Sequence, residues 1–331
     1  MPLITLTSGT SFTADAGISI LDAAAKAGVS MPYSCKTGRC STCKCRVISG
    51  KSNALHDETG LSVAEKTDGW ILGCVRSPES DLLLEAEDLG TIALPAAKTF
   101  PCRINTIEKL TPDVLRVMLR LPPSADFKFI AGQYIDVLGP EGLRRSYSLA
   151  NGSFTHNQLE LHVKAVEGGA MSQYWFNQAK PNDLLRLNGP LGTFFLRETT
   201  GLDVVFMATG TGFAPIKAML EGLHVQQMQD KPRSLTILWG ARTEKDLYYN
   251  LADIQGEYTF LPVLSRAGHE WAGARGHVQQ VLVSRMPNLS NAAVYACGSA
   301  TMIDSAKLLL DEAGLPKNRF YSDAFVCSAS L

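Results

Sequence analysis

The apolar and polar positions of this chain change rhythm along its length. At the start, ITLT and SFTAD alternate apolar and polar residues around Ser8, Gly9 and Thr10, which predicts a hairpin. Residues 18–27, ISILDAAAKA, carry apolar side chains at helical spacing and stop at Gly28, a residue suited to ending a helix. CRVISG and residues 82–86 read as strands, and residues 62–68 as a short helix leading to residues 70–75. Residues 89–99, LGTIALPAAKT, lose both charge and periodicity and contain Pro95, so 91–99 is read as a linker.

After the linker the period-two pattern returns. PCRINTIEKL, VLRVMLRL, GQYIDVLG, RRSYSLAN and LELHVKAV are short strands separated by Pro, Gly and Asn signals, with one helix expected near 171–179. From Leu202 the pattern changes. DVVFMA, SLTILWGAR, YTFLPVLS and NAAVYACGS are apolar runs, each followed by a polar or helical stretch such as IKAMLEGLHVQQM. The prediction is a multidomain α+β and α/β chain. A small mixed unit occupies 1–90, an antiparallel β-barrel 100–198 and a parallel α/β domain 199–331.

Composition narrows the class. At 331 residues the chain suits two or three domains, and 45% hydrophobic with 19% charged residues is typical of globular protein. A formal charge of −1 gives no bulk attraction for nucleic acid or an anionic membrane, so neither is expected as a partner. MPLITLTSG has neither a basic n-region nor an apolar h-region, and no apolar run approaches the roughly 20 residues that span a bilayer. The eight cysteines do not suggest a secreted disulfide scaffold, and a reducing cytoplasm is the expected compartment.

Half of those cysteines form a pattern. In residues 33–45, YSCKTGRCSTCKC, Cys35, Cys40 and Cys43 stand at C-x4-C-x2-C, and Cys74 follows in WILGCV. This is plant-type ferredoxin spacing, in which three thiolates on one loop and a distant fourth hold a [2Fe–2S] cluster. Gly38, Ser41 and Thr42 are small enough to let backbone N–H groups turn toward the sulfurs. A structural zinc site is the other reading, although only Cys40 and Cys43 make the tight C-x2-C pair that zinc sites usually use twice. Cys45 is expected to point away from the loop, and Cys102, Cys297 and Cys327 are scattered.

Two further strings carry chemistry in the barrel segment. In RRSYS, residues 144–148, alternation would put Arg145 and Tyr147 on one face and Ser148 on the other. Arg145 can pair with a phosphate, Tyr147 offers a ring to an isoalloxazine, and Ser148 can hydrogen-bond flavin N5. A plain edge strand is the alternative. Some twenty residues later, GGAMS opens the expected helix, where N–H groups near Gly169 and the Ser172 hydroxyl could meet a pyrophosphate. A serine-capped helix start is the alternative there. His162 reads as a packed strand histidine, and residues 189–194 as a tight loop near the flavin.

In the last segment, TGTGFAP follows an apolar strand and opens a helix with Pro215 in its first turn, the context a phosphate-cradling turn requires. It lacks the third glycine of G-x-G-x-x-G. Cys297, Gly298 and Ser299 end another apolar strand, where ligands bind in open α/β sheets. A buried small residue is the other reading of Cys297, and a helix cap and a core aromatic are those of Asp323 and Phe325.

Taken in order, these strings resemble the ferredoxin–NADP+ reductase superfamily with an N-terminal plant-type ferredoxin, over essentially the whole chain. The resemblance implies a β-grasp ferredoxin module, then FAD on Arg145, Tyr147, Ser148, Gly169 and Ser172, then NAD(P)H on Gly210, Thr211, Gly212 and Pro215. Cys297 and Gly298 would flank the nicotinamide, with Asp323 and Phe325 in place of the family's Glu and aromatic. It implies an oxidoreductase that passes electrons from NAD(P)H through FAD and the cluster to a partner protein; of the two donors NADH is the one expected. Arg242, Ser265 and Arg266 could still meet a 2′-phosphate. The strings FPCRI, GPLGTFFLRE and YSDAFV are most similar to a subgroup that serves a pyridoxamine-phosphate dehydratase in 3-deoxysugar synthesis. Reductase components of ring-hydroxylating and di-iron oxygenases share the architecture. A non-catalytic electron carrier or zinc-stapled module is the remaining reading.

Overall fold

A computed structural model of the chain describes residues 1–90, 92–152, 157–225 and 231–325, so Cys327 and residues 226–228 of the helix expected after TGTGFAP fall outside it. The described chain forms two compact units, Met1–Leu94 and Pro95–Phe325.

The first unit is built on a five-stranded sheet in the order Ser11–Thr13, Leu3–Leu6, Leu82–Glu85, Lys44–Ser49, Trp70–Leu72. Leu3–Leu6 runs parallel to Leu82–Glu85 at the centre, and the other pairs are antiparallel. The helix predicted over 18–27 is Ile20–Lys26, started by the Ser19 hydroxyl, which accepts the Asp22 N–H. Its buried Ile20, Leu21, Ala23 and Ala24 join Ile4, Leu6, Phe12, Leu72 and Leu84 in one core. Val63–Thr67 is a one-turn helix closed by a reciprocal Ser62–Glu65 capping box. A separate two-stranded antiparallel ladder, Ser52–Ala54 with Arg76–Pro78, had no sequence signal; only Ser77 and Pro78 among its residues are buried.

The second unit contains two sheets. The first has six antiparallel strands ordered Arg144–Ser148, Tyr134–Leu138, Leu184–Leu191, Lys98–Thr111, Val114–Arg120, Gln158–Lys164. Its two edge strands meet through the Leu149–Leu161 bridge and an Ala150 N–H bond to Glu160 O. The sheet is thus barrel-like rather than a continuously bonded barrel, around a core of Ile104, Val117, Ile135, Leu161 and Leu187. The first long strand begins at Lys98, where exposed Lys98 and Thr99 give no apolar signal. The loop expected over 189–194 is half strand, because Gly189 and Pro190 together face Ile135 across a bulge, which seats a proline without a ladder donor.

The second sheet is wholly parallel, ordered Ala274–Arg275, Thr259–Leu264, Ser234–Ala241, Asp203–Thr209, Ala292–Ser299, Phe320–Phe325. Helices Phe213–Val225, Val278–Arg285 and Ala300–Glu312 accompany it. From Asp203–Thr209 the chain steps outward on one side, then returns to build Ala292–Ser299 on the other. The order therefore reverses between those two strands, and such a switch point is where open α/β sheets bind ligands, at the carboxyl ends. Those ends carry TGTG and CGS. Among the described residues no helix is long and apolar enough to cross a membrane.

Candidate functional site

The cysteine loop connects the first helix to strand Lys44–Ser49 without regular structure. Two non-glycine residues, Lys36 and Ser41, hold left-handed backbone there, at φ of 54° and 61°. Gly38 is required at φ 75°, since a Cβ would stand 2.4 Å from the Asp57 carbonyl oxygen. These turns aim N–H groups inward. Thr37 N donates to Cys35 Sγ and Cys35 N to Cys40 Sγ, both at 3.4 Å. Gly38 N reaches Cys74, and the Thr42 hydroxyl reaches Cys40.

The four thiols fall into two hydrogen-bonded pairs, Cys35 with Cys40 and Cys43 with Cys74. Cys35 is pulled down to about 4, chiefly by the bond from Cys40, and Cys74 is lowered chiefly by the bond from Cys43. Their donors Cys40 and Cys43 are pushed up correspondingly. Among the described residues no three His, Cys, Asp or Glu side chains gather to hold one ion. Two such sulfur pairs, with the Thr37, Cys35 and Gly38 amides turned toward them, match the two-iron ligand set that the C-x4-C-x2-C spacing implies. Cys45 is fully buried in the core of its unit, pushed up to about 12 by burial and by the charge of Glu58.

A support for the fourth cysteine was not visible in the sequence. Glu58, 5% exposed, accepts the Leu72 N–H at 2.7 Å and the Arg76 Nη2 at 2.6 Å. One carboxylate thus ties both flanks of Cys74.

In strand Arg144–Ser148 the two arginines part company. Arg144 is held by Asp136 through Nε at 3.0 Å and Nη2 at 2.6 Å, whereas Arg145 stays exposed with Nη1 on the Arg144 carbonyl. Arg145 is therefore the one available to an anion. Ser148 is buried and opposite Tyr134. The helix expected near 171–179 is one α-turn, Ala170–Gln173, begun at Gly169 and continued as a π-turn over Tyr174–Gln178. Ser172 Oγ accepts the Val166 N–H at 2.9 Å and keeps its own proton to donate. The wider π-turn buries Trp175, which donates its Nε1–H to the Tyr147 hydroxyl.

The glycine turn begins at the end of strand Asp203–Thr209. Gly210–Gly212 forms a tight 3-10 turn, and helix Phe213–Val225 carries Pro215 in its first turn. The Thr209 hydroxyl accepts the Ser299 N–H at 3.2 Å and joins the two strand ends. Gly298 sits against it at φ 145°, and a Cβ there would stand 2.1 Å from Thr209 Oγ1. Trp239 stacks on Phe213 at 4.2 Å and donates to the Gly210 carbonyl, fixing the turn from below. Thr211 is buried within the turn.

Cys297 and Asp323 are register partners on adjacent parallel strands, both buried. Burial, then the nearby Asp323 charge, pushes the Cys297 thiol well above its ordinary range. Phe325, 39% exposed, ends the last described strand opposite Ser299. Arg242, Ser265 and Arg266 gather at the carboxyl ends of neighbouring strands, with Arg266 N on the Arg242 carbonyl. His162 is packed on its strand as expected, buried between Glu160 and the Tyr248 hydroxyl.

Comparisons with known proteins agree with this layout. Residues 4–79 match the 2Fe-2S iron-sulfur cluster binding domain, 101–196 the oxidoreductase FAD-binding domain and 206–307 the oxidoreductase NAD-binding domain. The chain belongs to the ferredoxin–NADP+ reductase superfamily, in the branch that carries an N-terminal plant-type ferredoxin, and is an oxidoreductase using FAD, NAD(P)H and a [2Fe–2S] cluster. Within that branch it is 40% identical over 328 residues to the CDP-6-deoxy-L-threo-D-glycero-4-hexulose-3-dehydrase reductase of Yersinia pestis, covering 97% of each chain. It is 31% identical to terephthalate 1,2-dioxygenase reductase component 1 of Comamonas sp, covering 94% of this chain and 93% of that one. Among solved structures, the Amycolatopsis cytochrome P450 reductase GcoB matches with a TM-score of 0.76 at 28% identity, over 98% of this chain and 99% of that one.

Proposed function

We propose that this chain supplies electrons to a pyridoxamine-phosphate dehydratase of 3-deoxysugar synthesis, as a CDP-6-deoxy-Δ3,4-glucoseen reductase does. The observation that carries the reading is the full-length likeness to the Yersinia dehydrase reductase, joined to three sites in the required order. The reductase component of an oxygenase is the second reading, favoured by the terephthalate dioxygenase relative.

Cys35 and Cys40 would hold one iron and Cys43 and Cys74 the other. Arg145 would neutralise a flavin phosphate, because Arg144 is already bound to Asp136. Gly169 and the Ser172 hydroxyl would take the pyrophosphate, Tyr147 would lie against the ring, and Ser148 would hydrogen-bond N5. Gly210, Thr211, Gly212 and Pro215 would cradle the nicotinamide dinucleotide, with Gly298 giving it room. Asp323 would orient Cys297 beside the nicotinamide. Phe325, exposed at its strand end, would yield to admit it. Held by these residues, FAD would supply two-electron hydride chemistry toward NAD(P)H and one-electron chemistry toward a plant-type cluster, whose potential is roughly −400 mV.

NADH is the proposed donor, and a reducing cytoplasm suits a chain whose seven described cysteines form no disulfide. The exit surface would be the rim of the cysteine loop at Lys36, Thr37 and Arg39. The test compares cluster oxidation by a candidate dehydratase and by a candidate oxygenase component, in wild type and Arg39→Glu. Faster turnover with the dehydratase, slowed by Arg39→Glu while flavin reduction is spared, supports the reading. Preference for the oxygenase would transfer it to the second.

A further inference from the structure

Lys217 lies two residues beyond Pro215, in the helix that opens at the glycine turn, and its side chain is 4% exposed. Its Nζ meets three acceptors, the Ala150 carbonyl at 2.9 Å, Glu160 Oε2 at 3.2 Å and Glu221 Oε1 at 2.6 Å. Ala150 is two residues past Ser148, on the segment that continues the RRSYS strand. Glu160 stands on strand Gln158–Lys164, whose Leu161 bridges to Leu149. The chain goes on from Glu160 Oε1 to His162 Nε2 at 2.8 Å, and from His162 Nδ1 to the Tyr248 hydroxyl at 3.0 Å. A second tie runs from Gly152 N to Glu221 Oε2 at 2.9 Å. There a Cβ on Gly152 would come within 2.7 Å of Ala218 O and Gly222 N, so loop and helix touch directly.

An ammonium has three donors, and here all three are used inside the protein. Such a buried network is a poor way to gain stability, since apolar residues of similar volume often do as well or better. What it does give is direction. It ties one helix to one carbonyl, and slippage of that helix would strand a charge. We propose that Lys217, together with Glu160, is the positioning residue that sets the dinucleotide turn at a fixed height against the Ser148 strand. The inference rests on the reading of Ser148 and the glycine turn given above. Hydride transfer needs reacting atoms about 3–3.5 Å apart, and a displacement of about 1 Å can cost about a hundredfold in rate.

The test uses the flavin- and cluster-loaded protein and the variants Lys217→Met, Glu160→Gln, their double variant and Tyr248→Phe. Two quantities are read, anaerobic flavin bleaching over a range of NADH concentrations and deuterium exchange of backbone amides at the start of helix Phe213–Val225. Lys217→Met and Glu160→Gln should bleach about ten- to a hundredfold more slowly at saturating NADH. The NADH concentration for half-maximal rate should stay within about threefold, and flavin content and spectrum should match wild type. Exchange at the helix start should rise about tenfold, and the double variant should be no slower than the worse single one. Faster exchange with bleaching within about twofold of wild type would reduce the network to a structural role and overturn the proposal.

Should Lys217→Met fail to hold flavin, Tyr248→Phe decides, because it keeps the ring and removes only the hydroxyl beside His162. Bleaching slowed about threefold or more supports the link, and an unchanged rate overturns it. If NADH and NADPH both fail to bleach wild-type flavin, the functional reading falls instead. The exchange measurement then judges the link alone, and unchanged protection in the variants overturns it.

Discussion

The indole of Trp175 donates its Nε1–H to the Tyr147 hydroxyl at 2.9 Å, with the two rings edge to face at 6.1 Å. The bond fixes the plane of the ring that the flavin reading lays against isoalloxazine, and it comes from a π-turn rather than an ordinary helix. Burial pushes the Tyr147 phenol up to about 12, so it stays neutral and remains an acceptor at working pH. Trp175→Phe keeps most of the packing and removes one hydrogen bond, worth about 0.5–1.5 kcal/mol. FAD affinity should fall about two- to tenfold, measured by fluorescence on flavin release. Unchanged affinity would mean that Tyr147 is held without Trp175.

Glu58 binds both flanks of Cys74 from a loop position that no sequence pattern marked. Glu58→Ala leaves the Arg76 guanidinium, 22% exposed, without its partner. Breaking a buried pair costs about 3–5 kcal/mol, and the partial exposure of Arg76 places this case near the low end. The cluster should be lost first, because the loosened segment carries its fourth sulfur. Iron content and visible absorbance should fall while flavin absorbance persists. Glu58→Gln keeps an acceptor for the Leu72 N–H and should retain more cluster than Glu58→Ala.

Some of the architecture was legible because its signals are local. The C-x4-C-x2-C spacing needs only one loop, the helix expected over 18–27 shows its apolar face and its Gly28 stop within a few residues, and TGTGFAP carries its own strand, turn and helix. The supports were hidden because they join distant residues. Lys217 and Ala150 are 67 residues apart, and Trp175 and Tyr147 are 28 apart. Nothing in either string announces the other. The bulge at Pro190 was missed for a related reason, since a loop-like GPLG string becomes strand only when Tyr134–Leu138 is beside it.

Cys297 is neither exposed nor ionised. Its thiol is pushed well above the ordinary value of 9.0, first by burial and then by Asp323. A raised thiol stays protonated through neutral and mildly alkaline pH. The stability linked to it is fully present below that ordinary value and declines as pH rises past it. Cys297 should therefore resist iodoacetamide in the native protein from pH 7 to 9, at least about a hundredfold more than a free cysteine, as read by peptide mass spectrometry. Cys297→Ala should lower the hydride-transfer rate without altering its pH profile. A profile that shifted with the substitution would show that a thiolate takes part.

The proposed route brings electrons in at nicotinamide, past the flavin and out through the two cysteine pairs. Anaerobic titration of the purified protein with NADH, followed by visible absorbance and by electron paramagnetic resonance of the cluster, tests it most directly. Flavin bleaching followed by a reduced [2Fe–2S] signal is predicted, with Cys74→Ser keeping the first and losing the second. A cluster that stays oxidised beside fully reduced flavin, or a protein that carries zinc in its place, would rule this route out.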